Sequence, residues 1–176
     1  MTRPAFPWRI RPATPDDLPV IFSLYDEAVV WLNARGITEQ WGTTPVSARP
    51  HLVDEVRESV SRGYIAEDGA IAGFIEVELA TPKYIASLIT EDDAADGAYV
   101  HSLVARKMPP ARGVGAALLN WAAQYAFDNG KTRLRLNCWA GNPELVQYYE
   151  SQSFVRRSVT GQDNNALMER ELVQAS

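Results

Sequence analysis

Arg112-Gly113-Val114-Gly115-Ala116 links an apolar run, Tyr99 to Ala105, to a helix-like one, Val114 to Phe127. Two glycines spaced by one residue at a strand-to-helix junction let the backbone come close to a ligand. The first N–H groups of a helix have no partner inside it, so they point outward and attract anions, phosphates above all. Arg112 stands immediately before them and adds a guanidinium suited to a charge-assisted hydrogen bond. A tight turn that only requires small residues has the same composition. No Lys-Ser or Lys-Thr pair follows the glycines, so the P-loop signature of a nucleotide-phosphate enzyme is absent.

Cys138 is the only cysteine in 176 residues, which excludes a disulfide framework and a cysteine-based metal site. His51 and His101 are far apart in sequence, so no metal is expected. Net charge is −5, which argues against a nucleic-acid binder. The charge is unevenly placed: residues 1–96 hold 8 basic and 16 acidic side chains, residues 97–176 hold 9 and 6. An anionic ligand on the second half and a cationic one on the first suit that split. No apolar run approaches the roughly 20 residues needed to span a bilayer. Met1 to Pro7 lacks the apolar core of a signal peptide, and the cytoplasm is the expected compartment. A single domain over 1–176 is expected at this length.

Trp8 to Ala13 reads as a first strand. Thr14-Pro15-Asp16-Asp17 supplies an N-cap, an early proline and early acids to a helix carrying Leu18, Ile21, Phe22, Tyr25, Ala28, Val29 and Leu32, with Gly36 as its stop. Residues 37–50 are irregular and a second helix covers His51 to Arg62. Tyr64 to Glu67 and Ile71 to Leu79 form a hairpin across Asp68-Gly69. Thr81 to Asp96 is a loop or short helix, followed by a strand from Ala98 to Arg106. Val114, Leu118, Trp121 and Tyr125 mark the core stripe of the helix after the glycine loop, which ends near Gly130. Thr132 to Cys138 is a strand with Leu134, Leu136 and Cys138 on one face. Asn142-Pro143-Glu144 opens another helix, and Phe154 to Val159 and Leu167 to Leu172 close the chain as strands. The order predicts a mixed α/β layer whose strand–helix–strand unit at 98–138 is parallel.

Several segments resemble the GCN5-related N-acetyltransferase, or GNAT, family. Gly113 and Gly115 occupy the glycine places of its acetyl-CoA motif, Gln or Arg, two variable residues, Gly, one variable residue, then Gly or Ala. Its leading Gln/Arg place holds Pro110, with Arg112 two residues later. Asn142 and Tyr149 match the family's Asn-to-Tyr spacing. Tyr149 to Phe154 resembles the end of that motif, with Ser153 at the usual glycine. The resemblance is strong over residues 99–156 and implies the GNAT acyl-CoA N-acyltransferase fold, a mixed, mostly antiparallel central sheet flanked by helices.

The resemblance implies acetyl-CoA as cosubstrate, without a metal. Its diphosphate would rest on backbone donors of Arg112, Gly113, Val114, Gly115 and Ala116. Its pantetheine arm would bind like a strand along Leu103, Val104 and Ala105, where two parallel strands splay apart. A backbone N–H near Val104 would polarise the thioester carbonyl. The acceptor amine must attack as a free base, and an unperturbed lysine-like amine has a pKa of about 10.4. His101, Glu76 and Glu78 are the candidate bases; strand alternation puts Glu76 and Glu78 on one face, as it does Tyr99 and His101. Structural histidines and solvated glutamates are the plain alternative. Tyr149 matches the family's acid, which protonates the leaving thiolate, and Tyr148 packs beside it. Asn142 caps its helix, touches the cofactor, or does both. Cys138 with His101 as base would suit a covalent route, but an apolar strand position favours a buried small residue, and direct transfer in a ternary complex is expected.

Trp31, Trp41 and Tyr84 are candidate walls of an acceptor pocket, since aromatic faces attract ammonium groups; packing between helices explains them equally. Glu91, Asp92, Asp93 and Asp96 would steer a cation there. The expected acceptor is a primary amine on a small molecule rather than a protein, because no recognition module accompanies the domain. No nucleic-acid or membrane partner is expected, and a homodimer is the expected assembly. A non-catalytic acyl-CoA-binding regulatory domain is the alternative that Pro110 and Ser153 leave open.

Overall fold

A computed structural model of the chain describes residues 7–86, 91–160 and 164–174. Its strands are β1 (Arg9–Pro12), β2 (Gly63–Glu67), β3 (Ile71–Glu78), β4 (Gly97–Ala105), β5 (Arg133–Trp139), β6 (Val155–Thr160) and β7 (Asn165–Glu171). The α-helices are α1 (Leu18–Asn33), α2 (Pro50–Ser59), α3 (Lys83–Ala86), α4 (Glu91–Asp96), α5 (Val114–Asp128) and α6 (Pro143–Ser151). The strands form one sheet in the order β1-β2-β3-β4-β5-β7-β6. β1–β2, β2–β3, β5–β7 and β6–β7 pair antiparallel, and β4–β5 pair parallel, as the strand–helix–strand reading requires. The expected signal-peptide test at Met1 to Pro7 falls almost wholly outside the described residues, as do the side chains of Glu91, Asp92 and Asp93.

Contacts cluster into two compact units, Met1–Glu76 with Ser102–Leu118, and Val77–His101 with Leu119–Ser176. In the first, the Thr14 backbone N–H donates to Asp17 (2.8 Å) while the Asp17 N–H donates to the Thr14 carbonyl (2.9 Å), starting a 3-10 turn that runs into α1. Asp17 is buried and takes both terminal nitrogens of Arg11 at 3.0 and 2.9 Å, which holds its carboxyl below the usual range. α1 ends where Gly36 adopts φ +75°. α2 gives way at Val60 to a 3-10 turn, one turn short of the expected helix. The β2–β3 hairpin turns at Gly69, φ +99°. The core of this unit joins Ile21, Tyr25 and Val29 of α1 to Val56 of α2, Ile65 and Phe74 of the hairpin, and Val104 of β4.

The second unit has an ionic element in its interior. Arg135 is 1% exposed and Glu169 is 8% exposed. Arg135 Nε donates to Glu169 at 2.8 Å, and the same carboxylate takes Arg157 at 2.9 Å and Arg133 at 3.3 Å. The guanidinium lies where a Cβ on Gly97 would stand, so that glycine is required by close approach. The expected Leu134, Leu136 and Cys138 face is buried throughout. Of the stripe expected on α5, Val114 and Leu118 are fully buried, but Trp121 and Tyr125 are not, and the buried side continues instead through Leu119, Ala122 and Ala126. Trp121 and Tyr125 are half-buried and stack on each other with ring centroids 5.1 Å apart. Among the described residues no helix is long and apolar enough to cross a membrane, and no cluster of three or more His, Cys, Asp or Glu is disposed to hold a metal.

Candidate active site

The glycine loop lies in the first unit, and three features place it. Gly73 of β3 packs under the start of α5: a Cβ there would sit 3.0 Å from Leu118 and 3.2 Å from both Val114 and the Val104 carbonyl. The Glu27 carboxylate, on α1, accepts from the backbone N–H of Lys107 (3.0 Å) and of Met108 (2.8 Å). The Ala111 N–H donates back to the Arg106 carbonyl at 3.1 Å. The chain then turns through Gly113 at φ +84°, a left-handed conformation that suits glycine. Val114 and Ala117 N–H donate to the carbonyls of Ala111 (3.3 Å) and Gly113 (3.0 Å). Among the described residues nothing accepts from the N–H groups of Arg112, Gly113, Gly115 or Ala116. Arg112 is exposed and makes no ion pair within that set. The start of α5 is therefore an open set of backbone donors with a cation beside it.

The aromatic candidates of this unit are already engaged. Arg35 lies 3.7 Å and Lys107 4.4 Å from the Trp31 ring centroid, so that ring attracts cations supplied by its own chain. Burial and neighbouring Arg35 lower the Lys107 pKa from its ordinary value. Trp41 packs on Tyr25 at 5.4 Å, and its carbonyl accepts from Arg49. Tyr25 is buried, which raises its pKa, and its phenol hydrogen-bonds to Ser102. Glu76 is also buried, with Oε1 held by Arg62 Nη2 at 2.6 Å and Nε at 3.1 Å.

In the second unit β4 and β5 pair only over Gly97–Val100 against Arg133–Leu136. β4 continues to Ala105 and β5 to Trp139, so beyond Val100 the ladder between them ends. His101 follows the last pair, its Nε2 2.7 Å from Glu78 Oε2. Tyr99 is buried and meets the His101 ring edge-on at 4.9 Å; Tyr84, 62% exposed, meets Tyr99 edge-on at 6.2 Å.

Asn142 caps α6, its side-chain oxygen accepting from the Leu145 N–H at 3.4 Å. Tyr149 is buried between Tyr148 (5.4 Å) and Phe154 (5.8 Å). Burial, with smaller contributions from Cys138 and Tyr148, raises its phenol well above the ordinary range, so the hydroxyl keeps its proton. No described residue takes that hydrogen. Burial also pushes the Cys138 thiol up to about 11, against a nucleophilic role. Ser153, just past α6, sits at φ +70°, a left-handed conformation that suits glycine.

The acetyltransferase (GNAT) family model matches residues 23–154. The chain belongs to the GNAT acetyltransferase family. It is 25% identical over 146 residues to YesJ of Bacillus subtilis (strain 168), named an uncharacterized N-acetyltransferase, covering 81% of this chain and 79% of that protein. A GNAT-family acetyltransferase from Listeria monocytogenes 4b F2365 shares the fold with a TM-score of 0.71 at 21% identity, over 94% of this chain and 95% of that one. The PaiA N-acetyltransferase of Thermoplasma acidophilum, solved with coenzyme A, aligns with a TM-score of 0.67 at 18% identity, over 93% and 98%.

Three features of this acetyltransferase were not anticipated from residue types. Glu27 lies 80 residues from the loop it clamps, and no local pattern announces it. Arg62 takes Glu76 and His101 takes Glu78, so two glutamates expected to share a face have different partners. The Thr132 to Cys138 pattern hid Arg135, which alternation alone assigns to the opposite face without saying whether that face is wet.

Proposed function

We propose that this acetyltransferase moves the acetyl group of acetyl-CoA to a primary amine on a small molecule, by direct attack in a ternary complex. The open backbone donors at the start of α5 carry the reading: Gly113, Gly115 and Ala116 present N–H groups where a diphosphate would be held, and Arg112 adds its charge. The pantetheine arm pairs with Leu103, Val104 and Ala105 along the part of β4 that leaves its ladder with β5. Asn142 fixes the start of α6 and flanks the cofactor.

His101 removes a proton from the acceptor ammonium, with Glu76 as the second candidate; Arg62 already occupies Glu76 Oε1 through two nitrogens. The free amine attacks the thioester carbonyl carbon, whose developing oxyanion takes the N–H near Val104. The C–S bond then breaks with its electron pair on sulfur, Tyr149 delivers a proton there, and the acylated nitrogen loses its second proton through water to the phenolate, restoring Tyr149; its protonated phenol and unclaimed hydroxyl hydrogen support that role. Of the aromatic candidates for a cationic acceptor, Tyr84 of the second unit is the most exposed, while Trp31 and Trp41 are engaged within the first.

Thiol release from acetyl-CoA, measured with a polyamine, an amino acid, an aminoglycoside and a peptide bearing a free N-terminus, tests the assignment. Turnover with one of the small amines supports it. Turnover with the peptide alone would move the acceptor to protein.

A further inference from the structure

The His101–Glu78 contact determines more than which residue is the base. A carboxylate only accepts, so the hydrogen in the 2.7 Å contact belongs to His101 Nε2. In the neutral ring the lone pair must then be on Nδ1. Nδ1 makes no hydrogen bond among the described residues. The ring is also held from its side by Tyr99, whose buried phenol is tied to Tyr84 and accepts from the Asn137 backbone N–H. His101 is 20% exposed and Glu78 35%, so the pair is partly shielded from water yet reachable.

We propose that Glu78 is the positioning residue of the transfer reaction: it fixes the Nε2–H tautomer of His101 and makes Nδ1 the atom that takes the acceptor's proton. This rests on the reading of His101 as the base. The acceptor R–NH3+ gives one proton to Nδ1 and keeps the electron pair of that N–H bond, becoming the attacking amine. The resulting imidazolium is stabilised by the Glu78 carboxylate at Nε2–H, then loses the Nδ1 proton to water after the product leaves. Glu78 touches neither substrate nor reacting atoms.

The test uses the full chain and the small amine turned over fastest in the thiol-release panel. Glu78→Gln should lower kcat about tenfold or more with KM for acetyl-CoA unchanged, and Glu78→Asp should recover part of the loss. In a His101→Gln background Glu78→Gln should cost nothing further, because its effect runs through the ring. Nitrogen-15 spectra of the neutral imidazole should show hydrogen on Nε2 in the parent protein and a changed ring signature in Glu78→Gln. An equal loss in both backgrounds, an undiminished kcat in Glu78→Gln, or hydrogen on Nδ1 in the parent would overturn the proposal. Full activity of His101→Gln alone would instead remove the base reading, while the spectra still report on the Glu78 contact without any acceptor.

Discussion

Glu27 holds Lys107 and Met108 by their backbone N–H groups, at 3.0 and 2.8 Å, and so ties α1 to the segment that leads into Gly113. Charged acceptors make the stronger hydrogen bonds, about 1.5–3 kcal/mol each. Glu27→Gln keeps one acceptor and loses the charge. It should raise the Kd for coenzyme A several-fold, as read by calorimetry, because the loop must then be ordered at the expense of binding. An unchanged Kd would mean that the loop holds its shape without the clamp.

Tyr149 is the proposed proton donor to sulfur. Tyr149→Phe should lower kcat about 100-fold with little change in coenzyme A affinity, since the ring packing against Tyr148 and Phe154 survives. The sign of its pH dependence follows from burial: the phenol is raised, so it stays protonated as pH climbs past about 10, the ordinary tyrosine value. A kcat profile in the parent should therefore show no alkaline loss caused by this group below that pH. Full activity in the phenylalanine variant removes the role.

Ser153 bears a conformation, φ +70°, that disfavours a residue with a Cβ. Ser153→Gly should stabilise the protein by about 1 kcal/mol, measured by urea unfolding, because left-handed backbone costs a non-glycine residue about that much. The side chain is exposed, so little packing is lost. A loss of stability would show that the serine hydroxyl compensates for the strain.

Glu169 and Arg135 should respond unequally. Replacing the carboxylate in Glu169→Gln takes the counter-charge from a guanidinium that is 1% exposed, at a cost of about 3–5 kcal/mol. Arg135→Met fills the space with an apolar chain and leaves Glu169 with Arg133 and Arg157, so its cost should be smaller. Chemical denaturation of the two variants decides it; equal losses would contradict the account.

The elements that local chemistry specifies were legible from the residues. Thr14 to Asp17 announced a helix start, Asp68-Gly69 a hairpin and Asn142-Pro143 a cap, because each depends on a few neighbours in sequence. The glycine loop was legible for the same reason: its donors are orphaned by helix geometry alone. What sequence hid was long-range pairing. Nothing near Trp31 reveals that Lys107 lies over its ring, and nothing near His101 selects Glu78 over Glu76. Periodicity also misplaced Trp121 and Tyr125, since a stripe of large residues and the packed stripe of alanines differ by a small rotation about the helix axis.

The most direct test is a crystal structure with coenzyme A bound. The diphosphate oxygens should lie within hydrogen-bonding distance, about 2.7–3.2 Å, of the backbone nitrogens of Gly113, Gly115 and Ala116. A diphosphate seated elsewhere, with those nitrogens facing only water, would contradict the account at its base.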